Sequence, residues 1–202
     1  MRITEKQVED AVRFHGHECP GLWIGIRAAE LCLSKIGANT ARNPVVCVVE
    51  TDMCGVDAIQ TLTGCTFGKG NLIHRDYGKT AFTFFNRSNE KGLRAVLKPD
   101  IHDNEKEEMN RISKRVAEGA ASDDDRKKMA VIRENMKKKI MKAEMNELFS
   151  KGEPGFSMPR PARVLESRAC AGCGEAVMES RVRLLGGSTL CIPCFEKSDQ
   201  KR

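Results

Sequence analysis

The apolar positions of the first fifty residues follow helical spacing twice and then change to one unbroken run. Residues 4–15 and 20–36 each place apolar side chains three and four positions apart, which predicts two helices. The second helix carries small residues, including Gly21 and Gly25, that would let another element approach its backbone closely. Residues 45–51, VVCVVET, are a continuous β-branched run and predict a strand that is buried on both faces.

After this strand the pattern predicts one more helix and then a sheet. A short helix begins near Cys54. Apolar runs in 72–78, 79–87 and 92–99, separated by turn residues, predict three strands of an antiparallel meander. The predicted fold class is α+β, with N-terminal helices around a mixed or antiparallel sheet, and residues 1–100 form its core domain.

The second half of the chain contains three segments of different composition. Residues 101–150 are rich in charge and methionine at helical spacing, and 126–142 hold eight Lys or Arg against one Glu. We expect helices with a solvated basic face that pack on the core domain or on a second copy of the chain. Residues 151–165, rich in proline and glycine, predict a linker, and 166–202 predict a small zinc ribbon.

Composition places the chain among soluble globular proteins. Of its 202 residues 40% are hydrophobic and 31% are charged, and its apolar runs fall short of the roughly 18 residues that a membrane span needs. The N-terminus lacks the apolar region of a secretory signal, and the nine cysteines include two CxxC pairs, which indicates metal ligands and free thiols rather than disulfides. We therefore expect a cytoplasmic protein without membrane contact. The net charge of +6 comes from a surface of mixed sign, so we do not expect nucleic acid as a partner.

The last four cysteines are spaced like zinc ligands. Cys170 and Cys173 form one CxxC pair, and Cys191 and Cys194 form the second. Two such pairs give tetrahedral thiolate coordination of zinc, with a small hairpin turned at residues 186–187 between them. Because protein fills all four positions, this zinc has a structural or recognition role, and a unit of about forty residues could hardly fold without it.

Residues 13–32 bring three candidate ligands into one turn. His15, His17 and Cys19 alternate, so an extended or turn backbone places all three side chains on one side. Pro20 suits the first turn of a helix, which puts the Cys19 thiol at a helix N-terminus, where the thiolate form is favoured. The alternative is a tight turn between helices, with two solvated histidines and a buried cysteine.

Residues 50–72 repeat this arrangement after the buried strand. Cys54 stands at a strand-to-helix junction, so its thiol lies close to unpaired backbone N–H groups, as the Cys19 thiol does. The loop that ends this stretch is too short and wrongly spaced for an ATP-binding Walker A loop. The candidate residues that follow Cys54 are Asp57, Gln60, Cys65, Lys69 and Asn71.

These two stretches and the C-terminus resemble known families. FHGHECPGLWIGIRAAE and ETDMCGVDAIQTLTGCTFGKGNL are closely similar to the family named for FmdE, a component of formylmethanofuran dehydrogenase, over roughly residues 10–100. CAGCGEAV and RVRLLGGSTLCIPCFE resemble the zinc finger of the DksA/TraR type. The first resemblance implies an α+β core, a homodimer and an association with the molybdenum or tungsten enzyme that handles one-carbon units. The matching positions are His15, His17, Cys19, Cys54, Asp57, Gln60, Cys65, Lys69 and Asn71.

The first functional hypothesis is a site in the core domain built from His17, Cys19 and Cys54, with His15 and Cys65 nearby. Soft thiolates with imidazole select zinc, iron or copper(I), so a second metal ion is expected here. Three protein ligands would leave an open position, as catalysis or metal delivery requires. The alternative is a metal-free site in which a cysteine is the nucleophile and a histidine its base.

The polar residues of the second motif would support such a site. Asp57 would orient a histidine or act as a base, and Gln60 and Lys69 would hold a polar or anionic ligand, with Asn71 beside them. Neither reaction type has a signature in the sequence, so enzymatic activity stays open. If it exists, the resemblance implies an association with an oxidoreductase.

The second hypothesis is a regulatory or assembly protein. Its zinc finger and basic helices would bind a macromolecular partner, most simply a protein, while the core senses a ligand or a metal. DNA reading is disfavoured because the finger has no recognition helix with base-reading side chains.

Overall fold

The computed structural model describes residues 3–102 and 105–198, without the side chains at positions 100, 102 and 106. It divides into two compact units, Met1–Pro161 and Ala162–Arg202. The predicted segments 1–100, 101–150 and 166–202 extend over residues 1–2, 103–104 and 199–202, which lie outside the described ones.

Three helices form one side of the first unit: α1 (Glu5–His15), α2 (Pro20–Lys35) and α3 (Gly55–Thr63). Helix α1 begins at a capping box formed by Thr4 and Gln7, because both side chains satisfy backbone N–H groups of the first turn. Helices α2 and α3 cross in close contact: a Cβ atom at Gly25 would lie 2.6 Å from the carbonyl carbon of Gly55. This confirms that the small residues of α2 allow a close approach.

The central sheet has five strands: β1 (Val45–Val49), β2 (Leu72–His74), β3 (Ala81–Asn86), β4 (Gly92–Leu97) and β5 (Phe149–Gly152). Their spatial order is β2-β1-β3-β4-β5, and β1 with β2 is the parallel pair. The fold is therefore α+β with a mixed sheet, as predicted. The expected meander is wrong for β2, which pairs with β1 rather than β3, because α3 supplies the crossover that a parallel neighbour needs.

Each face of β1 is covered by a different part of the chain. On one face the strand packs with the helices in the main core. On the other face Val46, Val48 and Phe85 pack against Phe156 and Met158. The region predicted as a linker, 151–165, therefore begins inside β5, and its residues Phe156 and Met158 pack on the outer face of the sheet.

A helical hairpin follows the sheet, made of α4 (Lys106–Ala117) and α5 (Asp123–Lys142), and the short helix α6 (Met145–Leu148) leads into β5. Ile112 of α4 packs with the α5 side chains Met129, Ile132 and Met136, the apolar face that the sequence indicated. Ile140 of α5 is fully buried in the main core, so α5 packs on the core domain of the same chain. None of the helices in the described ranges combines the length and the apolarity of a membrane span.

The second unit is a small ribbon. It contains two antiparallel pairs, β6 (Ser167–Ala169) with β7 (Ala176–Met178) and β8 (Val182–Leu185) with β9 (Ser188–Cys191), followed by α7 (Ile192–Lys197). The β8–β9 turn is made by Gly186 and Gly187, both at positive φ, which a two-residue hairpin of this kind requires. The predicted hairpin between the CxxC pairs is confirmed.

Candidate metal centres

The ribbon brings its four cysteine thiols into one cluster. The sulfur atoms of Cys170, Cys173, Cys191 and Cys194 all lie within 4.8 Å of one another. Backbone N–H groups of Cys191 and Gly172 donate to the Cys170 sulfur at 3.2 and 3.4 Å. These bonds lower the pKa of the Cys170 thiol to about 6, whereas the neighbouring thiols, Cys191 first, raise the pKa of Cys194 to about 12. Four thiols at this spacing need a cation to ionise together, and they fit a closed tetrahedral zinc site.

The core domain holds a second cluster where α1 turns into α2. His15 is the last residue of α1, Gly16 turns the chain at a φ of 89°, and Cys19 is the N-cap of α2. The ligand atoms of His15, His17 and Cys19 lie within 4.8 Å of one another, and the two imidazole rings are 4.5 Å apart. The Cys19 sulfur is 3.8 Å from Nε2 of His15. The three side chains predicted to share one side of the turn are therefore brought together.

Asp57 of α3 supports this cluster from the neighbouring helix. Its carboxylate Oδ2 is 2.7 Å from Nδ1 of His15, whose side chain is 10% exposed. Because a carboxylate accepts, Nδ1 is the donor of this bond, and Nε2 is the nitrogen that faces the cluster. A carboxylate behind a histidine fixes the ring and raises its basicity, which is the usual support of a metal-binding imidazole. His17, in contrast, is exposed, so the cluster opens to solvent on that side.

Cys54 lies beside the cluster, and its thiol is in hydrogen-bond contact with that of Cys19. At Gly21, an added Cβ would be 3.2 Å from the Cys54 Cβ and 3.9 Å from the Cys19 sulfur, so the two cysteines flank the same helical turn. Burial and the neighbouring charge of Cys19 raise the pKa of the Cys54 thiol. The donors within 4.8 Å of one another are His15, His17 and Cys19, and Cys54, the remaining member of the predicted set, adjoins Cys19.

Cys65 lies away from this cluster, contrary to the expectation that it is nearby. Cys54 precedes α3 and Cys65 follows it, so the nine residues of the helix separate them by about 13 Å. Cys65 is fully buried in the main core, its sulfur lies 3.5 Å from the carbonyl of Val45, and burial raises its pKa. Its surroundings are those of a packing residue.

The other polar candidates also lie at the far end of α3, where they hold the loop together. Oε1 of Gln60 accepts from the backbone of Phe67, and Nζ of Lys69 donates to the carbonyl of Gly64 at 3.2 Å. Asn71 donates to the carbonyl of Val45 at 3.1 Å. Their hydrogen bonds therefore go to the protein backbone.

Two ion pairs of the core unit were not predicted. Glu18 lies between two cluster residues and accepts from Nε1 of Trp23 at 2.7 Å and from Nζ of Lys137 at 2.9 Å. Glu50 is buried at the end of β1 and makes two bonds of 2.8 Å with Arg94, which lower the pKa of its carboxyl. No sequence spacing indicates either pair, because the partners are brought together by separate elements.

Two family models match this chain. One is described as FmdE, molybdenum formylmethanofuran dehydrogenase operon, and covers residues 14–150. The other, the prokaryotic DksA/TraR C4-type zinc finger, covers residues 164–200. The core cluster and the four-cysteine cluster each fall inside one of these ranges.

A relative and a solved structure extend the comparison. A probable S-adenosyl-L-methionine-binding protein of Archaeoglobus fulgidus is 28% identical over 194 residues, which cover 91% of this chain and 51% of that protein. The chain thus spans about half the length of this curated relative. The crystal structure of a tungsten formylmethanofuran dehydrogenase FmdE-like protein from Syntrophus aciditrophicus has a TM-score of 0.60 and 23% identity, over 96% of this chain and 92% of that chain. This likeness shows the shared fold.

Proposed function

The chain belongs to the FmdE family, and from this premise we propose that its core domain handles a metal ion at an open site formed by His15, His17 and Cys19. The observation that carries the proposal is the convergence of two imidazoles and one thiol within 4.8 Å, with Asp57 bonded to the inner histidine. Two nitrogen ligands and one sulfur ligand suit zinc, iron or copper(I).

Three protein ligands and an exposed outer histidine favour exchange over permanent retention. A metal bound there would supply Lewis acidity or a transferable cation at its free position. Asp57 keeps the His15 proton on Nδ1, which leaves Nε2 free to bind. Burial and Cys19 raise the pKa of the Cys54 thiol, which could still become a fourth ligand because a metal ion displaces the proton of a ligating thiol. An exposed site with one spare thiol suits metal uptake and delivery.

The test is the metal content of the full chain by elemental analysis, after purification with zinc present. We expect two metal ions per chain for the wild type, and one for His17→Ala and for Cys19→Ser. His74→Ala is the matched control, because His74 is exposed on β2 and should leave two metal ions bound. One metal ion in the wild type, or two in Cys19→Ser, would contradict the proposal.

A second candidate function is sensing of a small molecule in a cleft of the core unit. The cleft has a volume of about 800 Å³ and lies between α1, α2 and the junction of α5 with α6. Trp23 lies in its lining, Glu5 and Glu9 carry negative charge, and Lys142 carries positive charge. These groups match the heteroaromatic base, the sulfonium and the carboxylate of S-adenosylmethionine, which the name of the Archaeoglobus relative suggests as a ligand.

Calorimetric titration with S-adenosylmethionine tests this candidate. Binding that is lost in Lys142→Met and kept in His17→Ala would support it, because Lys142 lines the cleft and His17 belongs to the metal cluster. No heat of binding at millimolar ligand would reject it. The two candidates are thus separable in the same protein.

A further inference from the structure

We infer that Lys137 of α5 is a positioning residue for the core metal site, and that the helical hairpin and the site are thereby coupled. The inference rests on the proposed function. Its basis is the contact of Nζ of Lys137 with Glu18 at 2.9 Å. Glu18 stands between two cluster residues, His17 and Cys19. Contacts that hold Glu18 in place therefore also hold the backbone that carries these two ligands.

Glu18 is held from two directions. Nε1 of Trp23, one turn into α2, donates to Oε1 at 2.7 Å, while Lys137 donates to Oε2 at 2.9 Å. Both carboxylate oxygens are therefore bonded to charged or polar groups on two different helices. These contacts are short, and charge-assisted bonds of this kind are the stronger ones in proteins.

Lys137 itself sits on a rigid support. Its side chain is 16% exposed, and its second partner, Glu134, is 2.8 Å away on the same helix. Ile140, one turn further along α5, is fully buried in the main core. The ammonium group is therefore placed by the packing of α5, and a shift of the hairpin would shift the carboxylate between the two ligands.

The consequence is a reciprocal linkage. If the packed position of α5 holds residues 15–19 in the geometry that binds a metal ion, then metal binding must stabilise that position of α5 by the same free energy. Anything that binds the hairpin and moves α5 would change the affinity of the core site for its metal, with no contact to the ligands.

Cobalt(II) is the probe, because its absorption spectrum reports the coordination geometry. The full chain, with its ribbon already filled with zinc, is titrated with cobalt as wild type, Lys137→Met, Lys137→Arg and Lys138→Met. Lys138 is the matched control: it is the next residue on α5, it is 61% exposed, and its contact is with Glu134 at 3.4 Å. Amide hydrogen exchange of residues 16–19 in the protein without core metal is the second readout.

We expect Lys137→Met to weaken cobalt binding roughly tenfold, the lower end of what an indirect support of a ligand contributes, and to change the cobalt spectrum. Exchange at 16–19 should become faster, Lys137→Arg should restore binding, and Lys138→Met should match the wild type. Wild-type affinity, spectrum and exchange in Lys137→Met would overturn the inference alone. A wild type that takes up no cobalt in its core would overturn the proposed function and this inference together.

Discussion

The two cysteine-bearing clusters of this protein differ in how they are built. In the ribbon, all four donors come from two CxxC pairs within 25 residues, and backbone N–H groups bond to the sulfur of Cys170. In the core, the three donors of one turn depend on Asp57, 42 residues away, and on Lys137, 119 residues from Glu18. The ribbon cluster is local and closed, whereas the metal site proposed for the core is assembled from distant residues and is open.

This difference has a physical consequence. A closed four-thiolate site concentrates its binding energy in the ligands themselves, so the metal and the fold of the small unit are lost together. An open site with three donors depends on the elements that hold the donors in place, so its affinity is sensitive to packing far from the ligands. Substitutions should therefore separate the two sites cleanly.

Loss of one ribbon ligand should have the largest effect. In Cys191→Ser the zinc is lost and residues 167–198 unfold, because the binding energy of a structural zinc, about 10–16 kcal/mol, is also the folding energy of such a unit. Elemental analysis should show one zinc fewer, and the NMR signals of the ribbon should collapse to random-coil positions. Cys19→Ser is the control, which should lose the core metal and keep the ribbon signals. A Cys191→Ser protein with its full zinc content would refute the closed-site account.

Gly25→Ala should weaken metal binding at the core site, although Gly25 is not a ligand. Its Cβ would overlap the backbone of Gly55, so α2 and α3 must separate. Cys19, the N-cap of α2, would then move away from His15, which Asp57 of α3 holds. Alanine favours a helix by up to about 1 kcal/mol, but overpacking against a backbone costs about 3 kcal/mol, so the net effect is destabilising.

Urea unfolding and cobalt titration measure the two effects of Gly25→Ala. Gly68→Ala is the control, since a Cβ there meets no atom within 4 Å. We expect lower stability and weaker cobalt binding in Gly25→Ala, with the ribbon zinc unchanged. Equal stability of the two variants would show that the helices can separate at no cost.

The features predicted correctly from sequence are those decided locally. The β-branched run of β1, the small residues of α2 and the two CxxC pairs each indicate their environment through adjacent residues. The alternation of His15, His17 and Cys19 belongs to this class, since a single turn brings the three together. Residues of this kind need no knowledge of the rest of the fold.

The features that were missed depend on long-range packing. Strand β2 has the same alternation whether its neighbour is parallel or antiparallel, and its pairing is set by the path of α3. Cys54 and Cys65 belong to the same sequence motif, yet helix α3 lies between them and places them in different environments. The proline-rich stretch after β5 has the composition of a linker, and composition does not reveal that Phe156 covers the outer face of the sheet.

Glu50→Gln should weaken the core unit at neutral pH and leave the ribbon unaffected. Glu50 is 3% exposed and makes two hydrogen bonds with Arg94. A neutral amide leaves the Arg94 guanidinium without its negatively charged partner, which should lower the free energy of unfolding by about 2 kcal/mol. Urea unfolding of the first unit measures this. Glu108→Gln is the control, because the Glu108 pair with Arg111 is exposed and should change stability by less than about 0.5 kcal/mol.

The effect of Glu50→Gln should depend on pH in a defined direction. Arg94 lowers the pKa of the Glu50 carboxyl, so the folded state binds fewer protons than the unfolded state. The stabilisation is present above the unfolded pKa, about 4.3, and is lost as the pH falls through the lower folded value. The difference between wild type and variant should therefore shrink in acid. A difference that stays constant down to about pH 2 would contradict the role of the ion pair.

Asp57→Asn should have the smallest effect of these substitutions, and it should change metal binding at the core site alone. The amide oxygen can still accept from Nδ1 of His15, so the ring stays in place, but the carboxylate charge behind the ring is gone. We expect cobalt binding at the core site to weaken roughly tenfold, with the ribbon zinc unchanged. Asp52→Asn is the matched control, since Asp52 is exposed two residues before Cys54. If Asp57→Asn and Asp52→Asn bind cobalt equally well, the core site does not depend on long-range support, and the distinction between an assembled and a local site fails.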